Sequence, residues 1–122
     1  MKSFRRCCLG LLLPSLLLAL PACQRPEAVP VPADLLPKDK VTALLIGLHL
    51  LEARVENTRL TPDSARALFL GQQKNLLWQA SVSDSAFVRS YRYYSVHGKD
   101  LDDIYGVVLD SLGQREYRLG RK

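Results

Sequence analysis

Val41-Thr42-Ala43-Leu44-Leu45-Ile46-Gly47-Leu48-His49-Leu50-Leu51-Glu52-Ala53-Arg54-Val55 decides the fold. Within it Val41, Leu44, Leu45, Leu48, Leu51 and Val55 return at intervals of three and four, which places them on one stripe of an α-helix. The stripe predicts a helix from about Pro37 to Asn57, with Asn57-Thr58 ending the pattern. Working outward, Thr61-Pro62-Asp63 reads as an N-cap, a proline at the first helical position and an acid in the first turn. A second helix is expected from there to about Ala80, with Ala65, Leu68, Phe69, Leu76, Leu77 and Ala80 inward. The polar run Gly71-Gln72-Gln73-Lys74-Asn75 is the place where it could break.

Ser83-Asp84-Ser85 opens a third helix, with Phe87, Tyr91 and Tyr94 on one side and His97-Gly98 closing it. Asp100, Asp102 and Asp103 load the start of a fourth with negative charge, where the helix dipole favours it. Leu101, Ile104, Tyr105, Val108 and Leu112 form its inward face, and Gly113 is expected to cap it. Gln114 to Lys122 carries no periodic pattern, so residues 113–122 read as a basic, flexible tail. No stretch alternates convincingly with period two. The expected fold class is all-α, a small bundle of three to four helices in one domain over residues 37–112.

Upstream, Lys2, Arg5 and Arg6 precede an apolar run from Cys7 to Leu20, interrupted at Gly10, Pro14 and Ser15. A charged start and an apolar stretch of this length fit a cleavable signal peptide over residues 1–22 and are short for a membrane span. Leu20-Pro21-Ala22-Cys23 resembles a lipobox: a branched residue, a small one before the cut, and a cysteine after it. The thiol of Cys23 would take the lipid, and anchoring then needs more than one acyl chain. Pro26, Pro30, Pro32 and Pro37 make residues 23–36 an extended tether of roughly 40 Å at about 3.1 Å per residue. Leu35-Leu36 is expected to dock where the tether reaches the domain.

The chain has 17 basic and 12 acidic side chains, a net charge of +5. Cleavage would remove three bases and no acid, leaving about +2, with Arg115, Arg118, Arg121 and Lys122 gathered in the tail. The folded body is thus nearly neutral, which argues against nucleic-acid binding. Cys7 and Cys8 would leave with the leader and Cys23 would be acylated, so no disulfide is expected. No Cys/His cluster suggests structural zinc, and no cofactor or metal is expected.

His49 and Glu52 lie three apart on the first helix and could share a metal. They are only two groups, in the reverse order of the Glu-x-x-His bundle motif, and read better as a polar pair at the edge of the apolar stripe. His97 sits beside a glycine and reads as solvated or capping. The three aspartates lack the ligand spacing of a calcium loop. Ser83, Ser85, Ser90 and Ser95 have no His/Asp partners in sequence and no nucleophile elbow. Phosphate-binding glycine loops are absent. Arg89, Arg92, Tyr93 and Val96 form a second, partly exposed stripe on the third helix. Tyr and Arg favour interface hot spots, so this stripe is the candidate partner-binding surface, weighed evenly against a role in merely covering the bundle edge.

Three pieces of the chain resemble a family of Bacteroidota lipoproteins called domain of unknown function 4296. They are Leu36-Pro37-Lys38-Asp39-Lys40 leading to Leu48-His49-Leu50-Leu51-Glu52-Ala53, then Val82 to Phe87 with Ser90-Tyr91-Arg92-Tyr93-Tyr94-Ser95, and last Leu101-Asp102-Asp103-Ile104-Tyr105 with Val108 and Leu112. The resemblance covers residues 36–112 and departs from the family pattern at Gly47-Leu48 and at His97-Gly98-Lys99. It implies a lipobox, a short tether and one helical domain, and it implies no active residue.

The expected function is a non-enzymatic adaptor, lipid-anchored in the bacterial outer membrane through Cys23 and facing the periplasm, that binds another envelope protein. Gln24-Arg25-Pro26-Glu27 lacks the acidic run associated with surface export. A domain this small, without disulfide or metal, has a modest core, to which a partner would add buried area. The alternatives are an enzyme acting on peptidoglycan, glycan or lipid, for which Glu52 and Glu56 are the carboxylate candidates, and a small-ligand carrier.

Overall fold

In a computed structural model, residues 28–121 are described. The expected signal peptide and Cys23 lie outside them. Four helices follow in chain order: α1 Lys38–Glu56, α2 Pro62–Gln79, α3 Asp84–Val96 and α4 Gly98–Gly120. The described residues contain no strand, so the chain is all-α.

α1 is the hub, packing on α2, α3 and α4, while α3 also packs on α4. Its stripe supplies Val41, Leu44, Leu45 and Val55 to the interior. Ile104 and Val108 of α4 meet them, at 2% and 1% exposure, with Phe87 and Tyr94 of α3 and Leu77 of α2 completing the core. Burying each large apolar side chain contributes roughly 1.5–3 kcal/mol, which is the main force holding the bundle.

The helix starts follow the local chemistry. Thr61 Oγ1 accepts from the Ser64 amide at 3.4 Å, and Ser83 Oγ accepts from the Ala86 amide at 3.2 Å, each satisfying an amide with no partner inside its helix. The acids at the start of α4 have a second role besides complementing its dipole. Asp100 and Asp103 both pair with Lys38 at the start of α1, which ties two helix beginnings together and sets α1 and α4 running the same way. These side chains raise the lysine's pKa, its hydrogen bond to Asp100 most of all.

α2 runs back along α1. Gly47 faces Leu76 so closely that a Cβ there would lie 2.7 Å from the Leu76 Cδ1. The helix is continuous through Gly71 to Asn75, where a break was conceivable; these polar residues sit mainly on its solvated side and need no interior partner. Its end is built without glycine. The Val82 amide donates to the Leu77 carbonyl and the Ser81 amide to that of Trp78, both at 2.9 Å, while Ser81 takes a φ of 54°. This is the Schellman arrangement, and the buried pair Leu77 and Val82 supplies its apolar contact.

Two expectations are corrected. Gly113 does not cap α4, which continues to Gly120. Residues 113–120 are all exposed, so no burial writes a periodic pattern into them. An established helix nonetheless extends cheaply through good formers such as Gln114, Arg115, Glu116, Arg118 and Leu119. The second correction concerns the linker. Its described part, residues 28–36, is laid on α3 instead of standing off as free tether, and Leu35 and Leu36 pack against the core as expected.

Candidate functional site

The linker is held by side chains of α3 spaced one turn apart. The Leu36 amide donates to Ser90 Oγ at 2.9 Å, and the Tyr94 hydroxyl donates to the Leu36 carbonyl at 2.7 Å. Both backbone groups of one residue are thereby satisfied from a single helix face, with Ser90 fully buried and Tyr94 nearly so. Burial, the largest influence, raises the Tyr94 phenol above its ordinary pKa, favouring the protonated form that donates. Two residues earlier in the chain, Asp34 receives the Arg89 guanidinium as a fork, Nε at 3.1 Å and Nη2 at 2.5 Å. Hydrogen bonding from Arg89 lowers the pKa of that carboxyl.

This bears directly on the stripe Arg89, Arg92, Tyr93 and Val96. Arg89 and Arg92 are exposed, and Tyr93 and Val96 are half-buried, as a partly exposed stripe requires. Yet Arg89 is engaged with Asp34, and both arginines line a hollow of about 300 Å³ with the linker residues Ala28 to Pro32. Tyr93 lies edge-on to Tyr94 and against the His97 ring, whose centroid is 4.4 Å away. Much of the stripe thus meets the chain itself. The serines are placed too: Ser83 caps α3, Ser90 holds the linker, and Ser95 donates to the Arg92 carbonyl at 2.8 Å.

His49 and Glu52 share a face of α1, with Nδ1 3.7 Å from Oε2. With Leu45, Leu48, Phe69, Phe87, Tyr91 and Tyr105 they line a cavity of about 200 Å³. The Tyr91 and Tyr105 hydroxyls are 3.3 Å apart, and that contact is the chief reason the Tyr105 phenol is raised to about 12. The His49 ring meets Tyr105 edge-on at 6.4 Å. Three helices therefore bring polar tips to one apolar mouth. No group of three metal-ligating side chains occurs among the described residues, and none of their helices is long and apolar enough to cross a membrane.

Trp78, the chain's only tryptophan, is 80% exposed on α2. Sequence reasoning missed it because helical periodicity ranks inward positions and says nothing of an aromatic on the opposite side. The far part of α4 likewise exposes Leu109, Tyr117 and Leu119.

The family described as domain of unknown function (DUF4296) matches residues 32–118. The chain belongs to that family. No curated protein and no solved structure matches the chain. The DUF4296 span starts before Asp34 and ends near the tip of α4, so it takes in the Asp34–Arg89 fork and most of the α4 extension as well as the bundle.

Proposed function

We propose that this DUF4296 protein is a lipid-anchored component of the bacterial cell envelope, held at the outer membrane through Cys23 and facing the periplasm, and acts there as a non-enzymatic adaptor for another envelope protein. The observation that carries the adaptor reading is Trp78. Single exposed aliphatic residues are ordinary, but an indole that is 80% in water is the side chain most enriched at protein hot spots. Because the linker occupies part of the α3 stripe, the proposed contact centres on Trp78. Arg92, Tyr93 and Val96 are secondary candidates, and Arg89 serves mainly to hold Asp34.

The test is a native pull-down from membranes dissolved in mild detergent, comparing the wild-type chain with Trp78→Ala. One stoichiometric partner should be recovered by the wild type and lost with the variant, whose thermal midpoint should be unchanged. Equal recovery by both would remove this surface, and no partner above background would remove the adaptor. The cavity beside His49 favours the ligand-carrier alternative as a second reading, and its chemistry can be specified further.

A further inference from the structure

We infer that the cavity between α1, α2, α3 and α4 binds the head of an organic ammonium ion. Its lining includes four aromatic side chains, Phe69, Phe87, Tyr91 and Tyr105, together with His49 and Glu52. Aromatic faces attract cations through their quadrupole, and rings gathered around a small space are a recurrent way of holding alkylated ammonium groups. The lining contains one carboxylate and, among the described residues, no Lys or Arg, so the formal charge facing the ligand from an acid is negative. At about 200 Å³ the space would hold about six or seven water-sized groups, enough for a trimethylammonium head or the end of a lysine-like chain.

The geometry explains why an ammonium fits better than a neutral group of the same shape. Phe87 and Tyr91 lie 6.4 Å apart with their planes inclined by 32°, so two of the lining rings are neighbours. The Tyr91–Tyr105 hydroxyl contact links them to the ring contributed by α4. Glu52 is 60% exposed and lies 3.7 Å from His49, so it can turn toward a bound cation without leaving a buried group unpaired. An anion would meet the carboxylate instead, and a purely apolar ligand would leave it unused.

The experiment is a titration of the isotope-labelled full-length chain, in an uncharged detergent at pH 8 and constant ionic strength. Amide and side-chain shifts of His49, Tyr91 and Tyr105 are followed. Choline and n-butylamine are the cationic probes, and 3,3-dimethylbutan-1-ol, the neutral carbon isostere of choline, is the control. Saturable shifts at these residues are expected, with choline bound at least about fivefold more tightly than the isostere. Glu52→Gln, at an exposed position that the fold does not depend on, should weaken choline by about threefold and leave the isostere unchanged. Tyr105→Leu should weaken choline further. Preference for n-butylamine would assign the site to a lysine-like chain and preference for choline to a quaternary headgroup, and either supports the inference. Failure of both cations to saturate, or binding of both no more tightly than the neutral isostere, would overturn it. Trp78→Ala lies outside the cavity, so loss of the adaptor surface and loss of the ammonium site can be told apart.

Discussion

α1 and α2 are nearly the same length, 19 and 18 residues, but they are held in different ways. α1 buries Val41, Thr42, Leu44, Leu45 and Val55, and meets every other helix. α2 buries Leu77 alone; Ala65, Leu68, Phe69, Leu76 and Ala80, all expected inward, stop half-buried. A helix enclosed by neighbours draws its stability from close packing on several sides. One laid along a single neighbour keeps a long wet face and depends more on its ends. α2 therefore has a capped start at Thr61, a Schellman finish at Ser81, and a surface on which Trp78 can stay in water.

The sharpest way to break this contrast is a pair of truncations. Leu44→Ala should cost about 3 kcal/mol, because truncating a 3% exposed core side chain of α1 leaves a cavity that the surrounding structure closes only in part. Leu68→Ala on α2 should cost only about 1 kcal/mol, and denaturant titration of both variants would show the difference. Similar losses would mean that α2 is as enclosed as α1.

Next comes the entry to α1. Ser90→Ala removes the acceptor of the Leu36 amide and should destabilise by about 1–2 kcal/mol. Hydrogen exchange should quicken at Leu36 well before the middle of α1. Exchange in the native state offers a companion measurement, with α2 amides opening at lower free energy than those of α1. The smallest effect is expected at the far end of α2. Ser81→Gly relieves a φ of 54° and should stabilise by about 0.5–1 kcal/mol, seen as a small rise in thermal midpoint.

Much of this was legible because it is local. The first three helices were readable within a residue or two from the α1 stripe and from Thr61-Pro62 and Ser83, since a cap and its amide lie three positions apart. The continuation of α4 was not, because an exposed helix owes nothing to a core and leaves no apolar signature. The hold on the linker was hidden for another reason. Asp34 and Arg89 are separated by 55 positions, and Ser90 grips a backbone amide, a partner that every residue possesses. Ser90 and Tyr94 were visible as neighbours on a helix, but nothing in their letters named Leu36 as what they hold. The cavity was half visible: His49 and Glu52 stood out on α1, while the aromatic walls come from three other helices that only the fold brings together.

The hold on the linker also fixes a length. On the lipid-anchored reading, the leash between membrane and domain ends at the Asp34–Arg89 fork, eleven steps from Cys23. At no more than about 3.5 Å per step, the acylated residue stays within about 39 Å of that fork on the flank of α3. A body on such a leash would keep near the bilayer. It would search for its partner by lateral drift in two dimensions, with the side bearing α3 turned toward the lipid more often than away from it.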